Sequence, residues 1–215
     1  MSRIAEIALE FKDRGGKKLR PRLCKAIFAV CGGQGNIDPI CDAIECFHKA
    51  SLIHDDIQDG DEVRYGKPTT WKEHGLAVAI AAGDWLVAHG YQLIAKSGFS
   101  QRAAMLEAVV DSHVGLCEGQ GDDLLGLGDC VKATIEQYIS TCERKTGEAF
   151  ALAAVLGALA AGVDATPYRT YGLAYGILFQ INDDLSDGGD PDRLLPLKSE
   201  YEARLPVQFF ESLAF

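Results

Sequence analysis

The sequence predicts an all-α fold, on three observations. Apolar residues recur at helical spacing along most of the chain, and no clean period-2 alternation survives inspection. The segment Gly75 to Ser97 is apolar on nearly every face apart from Asp84, His89 and Lys96, which suits a helix in the middle of a bundle. Two acidic motifs of one spacing, Asp55-Asp56-Ile57-Gln58-Asp59 and Asp183-Asp184-Leu185-Ser186-Asp187, each follow an apolar helical run, Cys46 to Ile53 and Leu173 to Ile181.

In order along the chain, a short helix near Ile4 to Phe11 ends at Gly15-Gly16. The run Lys17-Lys18-Leu19-Arg20-Pro21-Arg22 is a charged loop or a phosphate clamp, in which Arg offers bidentate contacts and Lys a point charge. Leu23 to Cys31 reads as a helix closed by Gly32-Gly33. Asp38-Pro39 reads as an N-cap with a first-turn proline, opening a helix through His48 to about Asp59. On that helix Asp55 and Asp59 stack on one face, with Asp56 about 100° round. His48 lies two turns before Asp55 on nearly the same face, as a structural histidine or as a donor to the same ligand.

Gln101 to about Glu118 is a further helix, leading into the acidic Gly119-Gln120-Gly121-Asp122-Asp123. Val131 to about Ala161 reads as one long or kinked helix. Inside it, Lys145-Thr146-Gly147 is either a buried pair approaching a ligand oxygen beside a glycine, or holds a surface lysine. Thr166-Pro167 caps the helix that ends in the second acidic motif, and its Gly172 and Gly176 allow close packing on a neighbour. A turn at Gly188 to Asp192 precedes an amphipathic segment from about Leu194 to Phe215.

The composition narrows the function. At 215 residues with no Pro/Ser/Gly-rich linker, residues 1–215 are expected to form one domain. A net charge of −10 argues against nucleic acid and suits an acidic site that works through cations. Seven cysteines without C-x-x-C or zinc spacing read as reduced thiols of a cytoplasmic protein. No secretory signal is expected at the N-terminus, and the longest uncharged run, Ala149 to Val163, is short of a membrane span. Dinucleotide-binding, Walker, H-E-x-x-H and G-x-S-x-G signatures are missing from the sequence.

Clustered carboxylates repel each other unless a cation sits between them. Hard divalent ions, Mg²⁺ above all, fill that place when a phosphate is the other ligand. A single such motif is equally a solvated acidic face. Two of them, each on an apolar helix, would form an acidic mouth over an apolar interior, able to hold a diphosphate above a greasy tail.

These residues together resemble the trans-isoprenyl diphosphate synthases, the polyprenyl synthetase family. The resemblance runs from Gly15 to Asp187, through G-G-K-K-L-R-P, H-x6-D-D-x-x-D, R-x-G-K-P-T, A-G-D, G-Q-x-x-D, K-T-G and F-Q-I-x-D-D-x-x-D in the family's order. It implies an isoprenoid synthase-type helical bundle around a deep apolar cavity, usually a homodimer. It further implies that Asp55, Asp56, Asp59, Asp183, Asp184 and Asp187 bind Mg²⁺ bridging to an allylic prenyl diphosphate. Arg64, Lys145 and Gln180 would hold that diphosphate, with Thr146 near the reacting carbon. Lys17, Arg20 and His48 would hold isopentenyl diphosphate, and Gln120 and Asp123 would stand behind the contacting residues of the site.

The expected reaction is condensation of the two diphosphates. Alternatives are a terpene-cyclase-like relative, and a non-catalytic partner subunit or prenyl-diphosphate binder. Three departures bear on the choice. Where the family has Arg-Arg-Gly this chain has Arg64-Tyr65-Gly66, weakening the isopentenyl diphosphate site unless Lys67 or Arg22 supplies the charge. The family's lysine-bearing loop after the second motif is shortened here, and the short tail beyond Asp187 implies missing C-terminal helices or a truncated chain. Ser51 and Ala50, small residues one turn and slightly more before Asp55, with Phe47 further down, imply an open cavity and products of C20 or longer.

Overall fold

The computed structural model describes residues 1–125 and 134–205, without the side chain of Asp123. It is almost entirely helical: α1 (Arg3–Asp13), α2 (Leu19–Val30), α3 (Asp38–Asp59), α4 (Thr70–His74), α5 (Leu76–Ala95), α6 (Arg102–Leu124), α7 (Ile135–Cys142), a π-helical turn (Glu143–Gly147), α8 (Glu148–Ala161), α9 (Thr166–Ser186) and α10 (Pro191–Ala203). A two-residue hairpin, β1 (Val63–Arg64) and β2 (Lys67–Pro68), is too short to leave an alternating pattern in the sequence. The chain forms two compact units, Met1–Pro21 with Asn36–Gly98, and Arg22–Gly35 with Phe99–Phe215.

In the first unit α3 packs along α5, and α1 lies against both. Ile7, Ala8 and Phe11 meet Cys46, Ala50 and Ile53 and then Ala79, Ala82 and Leu86 in one buried cluster. Each large apolar side chain there contributes about 1.5–3 kcal/mol. Two glycines of α5 are slots for rings of α3. A Cβ on Gly83 would fall 2.3 Å from His54 Nε2, and one on Gly90 would fall 2.4 Å from Phe47 Cε1. The helix α3 begins one residue earlier than the sequence implied: Ile37 is its cap, Asp38 its first residue, and Asn36 Oδ1 accepts the Asp38 amide at 2.9 Å. It ends at Gly60, at φ +72°.

In the second unit α8 is buried almost all round and packs on α9 and α6. Glycines permit the close crossings: a Cβ on Gly157 would lie 2.5 Å from Cys24 O, and one on Gly172 would lie 2.7 Å from Phe150 O. The helical run predicted from Val131 to Ala161 is described from Ile135 and is interrupted by the π-turn, while 131–133 lie outside the described residues. The cap position of α9 is Ala165, and Asp164 just before it accepts both the Thr166 amide at 3.0 Å and the Thr166 hydroxyl at 2.8 Å through Oδ1; Thr166 itself is the first helical residue. Of the predicted C-terminal segment, Pro191–Ala203 is helical and 206–215 lie outside the described residues. No helix among the described residues is long and apolar enough to cross a membrane.

Candidate active site

The first acidic motif occupies the last turns of α3. Its three carboxylates have different surroundings. Asp56 is fully buried and accepts a bond from Arg64 Nε on β1, while its other oxygen, Oδ2, meets no hydrogen-bond donor. Burial pushes the Asp56 carboxyl up, against the opposing pull of Arg64. Asp55 is half-buried and Asp59 is exposed.

A basic cluster surrounds the middle of α3 in the same unit. Arg20 Nη1 lies 3.4 Å from His48 Nε2. Burial, reinforced by Arg20, Lys49 and Arg64, holds the His48 imidazole well below its ordinary value, so it is neutral at pH 7. Burial also lowers the Arg20 guanidinium to about 10. Lys49 is 0% exposed. Its Nζ donates to Arg14 O at 2.6 Å, Gly15 O at 3.1 Å and Tyr65 Oη at 3.3 Å.

In the second unit the π-turn of the Lys145-Thr146-Gly147 motif sits against α9. A Cβ on Gly176 would lie 2.7 Å from Gly147 Cα, so the two backbones touch with nothing between them. That crossing brings Thr146, which is buried, to Gln180: its hydroxyl donates to Gln180 Oε1 at 2.6 Å. Gln180 Nε2 donates to Asp184 Oδ1 at 2.8 Å, one turn on, and Tyr138 Oη donates to Asp184 Oδ2 at 2.6 Å. Burial and that bond raise the Tyr138 phenol. Lys145 is exposed, the surface-lysine alternative of the two that the sequence left open, because the π-turn directs Thr146 inward and Lys145 outward.

The two motifs share one arrangement. The middle carboxylate is held by protein donors, Asp56 by Arg64 and Asp184 by Gln180 and Tyr138. In the second motif Asp183 and Asp187 are exposed, as Asp59 is in the first. Among the described residues no three carboxylates, imidazoles or thiols converge closely enough to hold a metal unaided. An all-oxygen, anionic donor set that leaves most positions to other ligands fits Mg²⁺, which keeps waters and takes substrate phosphates.

The polyprenyl synthetase family profile matches residues 1–193. The chain belongs to the polyprenyl synthetase family. Among its polyprenyl synthetase relatives is the short chain isoprenyl diphosphate synthase of Methanothermobacter thermautotrophicus, 38% identical over 178 residues, covering 80% of this chain and 54% of that protein. The geranylgeranyl diphosphate synthase of Methanosarcina mazei is 34% identical over 189 residues, 85% of this chain and 58% of that protein. The geranyltransferase crystal structure from Legionella pneumophila superposes with a TM-score of 0.85 at 26% identity, over 100% of this chain and 82% of that one. The chain thus spans little more than half the length of the curated polyprenyl synthetases it matches.

The sequence-named residues divide between the two units: Lys17, Arg20, His48, Asp55, Asp56, Asp59 and Arg64 lie in one, Lys145, Thr146, Gln180, Asp183, Asp184 and Asp187 in the other. Gln120 is half-buried on α6 beside Gly119, which abuts Arg144; the side chain of Asp123 lies outside the described residues. Two side chains central to the local hydrogen bonding were not singled out from the sequence. Lys49 was hidden in an apolar stretch, although a lysine beside His48 on the buried face was a readable signal. Tyr138 carries no local signal, since its partner is 46 residues away. The cation beside Tyr65 is Lys49. Lys67, one of the two predicted substitutes, is exposed on β2.

The His48 shift has a pH consequence. A histidine whose folded value is depressed costs stability as pH falls below its unfolded value of 6.5, because only the unfolded chain then takes the proton. The wild type is expected to lose up to about 1.4 kcal/mol per pH unit from this group on the acid side. His48→Asn should flatten that limb of the melting-temperature profile by this amount, and an unchanged slope would show that the imidazole titrates normally.

Proposed function

We propose that this protein is an Mg²⁺-dependent prenyl diphosphate synthase, condensing isopentenyl diphosphate with an allylic prenyl diphosphate. The observation that carries the reading is the shared arrangement of the two acidic motifs: a middle carboxylate anchored by protein donors, with neighbours of the same motif reaching solvent. Mg²⁺, bound through Asp55, Asp59, Asp183 and Asp187, would neutralise charge on a departing diphosphate. Asp56 and Asp184 would set the direction of those ligands. Arg64, Lys145 and Gln180 would hold the allylic diphosphate, and the buried Thr146 hydroxyl would lie near the reacting carbon. Lys17, Arg20 and neutral His48 would hold isopentenyl diphosphate, whose double bond attacks the allylic cation before a proton is lost to the released diphosphate. No protein nucleophile is needed.

We take residues 1–215 as one polyprenyl synthetase domain, since the family match runs across both compact units. A homodimer is supported by Val110 and Val114, exposed one turn apart on α6. A cytoplasmic setting is supported by the free thiols of the described cysteines.

The deciding assay supplies purified protein, Mg²⁺, isopentenyl diphosphate and each allylic diphosphate in turn, with products sized by chromatography. Elongation that stops on adding EDTA is expected. Release of diphosphate from the allylic substrate without consumption of isopentenyl diphosphate would replace this reading with the cyclase-like one.

Product length depends on the face of α3 below Asp55. Ala50 is packed in the core with Cys46, Ile53 and Leu86, which supports its neighbour Ser51 as the position that meets the growing tail. Ser51 is exposed on the next position and donates its hydroxyl to His48 O at 2.8 Å. With a small side chain there, products of C20 or longer are expected. Ser51→Phe should shorten them by one or more C5 steps, whereas Ala50→Phe should chiefly cost stability, about 1–3 kcal/mol of overpacking. A Ser51→Phe enzyme with an unchanged product profile would place the tail elsewhere.

A further inference from the structure

Lys49 has no place in the mechanism above, yet it is among the most buried side chains of the first unit. An ammonium withdrawn from water costs several kcal/mol unless its hydrogens are all met. Here three donors meet three oxygens, all neutral: the carbonyls of Arg14 and Gly15 and the hydroxyl of Tyr65. The nearest carboxylate, Glu45 Oε1, stands off at 4.0 Å, and Glu45 Oε2 is buried without a donor. Glu45 and Asp13 draw on the Lys49 charge, while Lys18 and Arg64 repel it. A side chain needed only for packing would be apolar, as Cys46, Phe47, Ala50 and Ile53 are on the same helix.

Of the three groups that Lys49 holds, two belong to residues in the left-handed region, Gly15 through its carbonyl and Tyr65 through its hydroxyl, while Arg14 is extended at φ −70°. Gly15 and Gly16 have φ of +49° and +91°, and Lys18, which is not a glycine, has φ of +51°. Tyr65 has φ of +54° and Gly66 +72°, the two-residue turn of the β1–β2 hairpin. Non-glycine residues in that region cost about 1 kcal/mol or more and persist where the surroundings fix them. The two turns also interlock. A Cβ on Gly15 would strike the Tyr65 ring at 2.9 Å, and one on Gly16 would lie 3.5 Å from both Lys49 Nζ and Tyr65 Oη. Lys49 Nζ stands 4.4 Å from the Tyr65 ring centroid.

We propose that Lys49 is a positioning residue for the isopentenyl diphosphate site: its ammonium ties the basic loop Gly15–Lys18 to the Tyr65 turn, so that Lys17 and Arg20 are presented to the diphosphate in a fixed geometry. Tyr65 and Lys49 then act as a pair, with a neutral ring where an arginine would face a buried ammonium. This assignment rests on the prenyltransferase reading. Tyr65→Arg alone sets two cations together and raises the KM for isopentenyl diphosphate. The same change on a Lys49→Thr background restores it.

The test is steady-state kinetics on the full chain, with each substrate varied in turn, alongside thermal shifts by inorganic pyrophosphate in EDTA. Lys49→Gln is expected to raise the isopentenyl diphosphate KM about tenfold or more while the allylic KM moves less than about twofold, in line with a charge-assisted anchor worth at least one decade. It should also remove the metal-free pyrophosphate shift. The double variant Lys49→Thr/Tyr65→Arg should return the KM to within about threefold of wild type, a rescue that repair of packing alone would not give. Should Lys49→Gln not fold, Tyr65→Phe, altered at a half-exposed ring, decides: a raised isopentenyl diphosphate KM upholds the pair and an unchanged one overturns it. Condensation with an unchanged KM in Lys49→Gln, or a KM lowered by Tyr65→Arg alone, overturns the proposal. A pyrophosphate shift that depends on Lys49 in a protein that never condenses would remove the prenyltransferase reading and leave Lys49 as the organiser of an anion-binding loop.

Discussion

Asp55→Ala and Asp183→Ala are each expected to lower kcat/KM by about a thousandfold or more, since a metal that stabilises a leaving diphosphate is worth several kcal/mol in the transition state. Neither side chain is buried, so the melting temperature and the helical circular dichroism should hold. Asp56→Ala is the contrasting variant. It strands Arg64, whose Nε is bonded to a carboxylate only 1% exposed, and losing one partner of such a pair costs about 3–5 kcal/mol. Activity should fall here as well, but with a lowered melting temperature. If Asp55→Ala melts early like Asp56→Ala, or if either outer variant keeps turnover in EDTA, the division between ligand and anchor carboxylates is wrong.

The second large effect is expected at the crossing of the π-turn and α9. Gly176→Val would place a Cβ 2.7 Å from Gly147 Cα and 3.1 Å from Phe150 Cβ. The nearer atom is backbone and cannot swing aside, so the helices must part. A loss of about 3 kcal/mol is expected, which for a chain of this length is roughly 6–12 °C in Tm. Parting them also separates the Thr146 hydroxyl from Gln180, now 2.6 Å away, so turnover should fall further than stability alone explains. Gly121→Ala on α6, where an added Cβ meets nothing within 4 Å, is the control and should stabilise slightly through helix propensity. A Gly176→Val protein that melts with wild type would mean that α8 and α9 can slide past each other freely.

Much of this was legible in the sequence because it is local. The helices announce themselves by period, and the acidic motifs by i, i+1, i+4 spacing on them. The family was legible through motif order, and the polyprenyl synthetase relatives agree with that resemblance. What stayed hidden is what one carboxylate or one ammonium meets across the fold. Asp55 and Asp56 are adjacent and identical in the sequence, yet only Asp56 turns inward to Arg64, because a helix rotates neighbours about 100° apart. Lys49 sits 34 residues from the Gly15 carbonyl it holds, and that pairing is set by the packing of α1 against α3 and α5. The caps of α3 and α9 each lie one residue before the expected Asp38 and Thr166, which are instead the first helical residues, their amides met by Asn36 and Asp164.

The crossing of Gly157 on Cys24 sets a clock for synthesis. On a ribosome the side of α2 that carries Cys24 and Ile27 leaves the exit tunnel long before its seat in α8 exists. About 130 further residues must be added, and at about 5–20 residues per second that takes roughly 7–26 seconds. For that time the nascent chain carries an uncovered greasy stripe. The α1–α3–α5 unit, whose last helix ends at Ala95, can close on itself meanwhile, leaving α2 as the segment that a chaperone has most reason to shield.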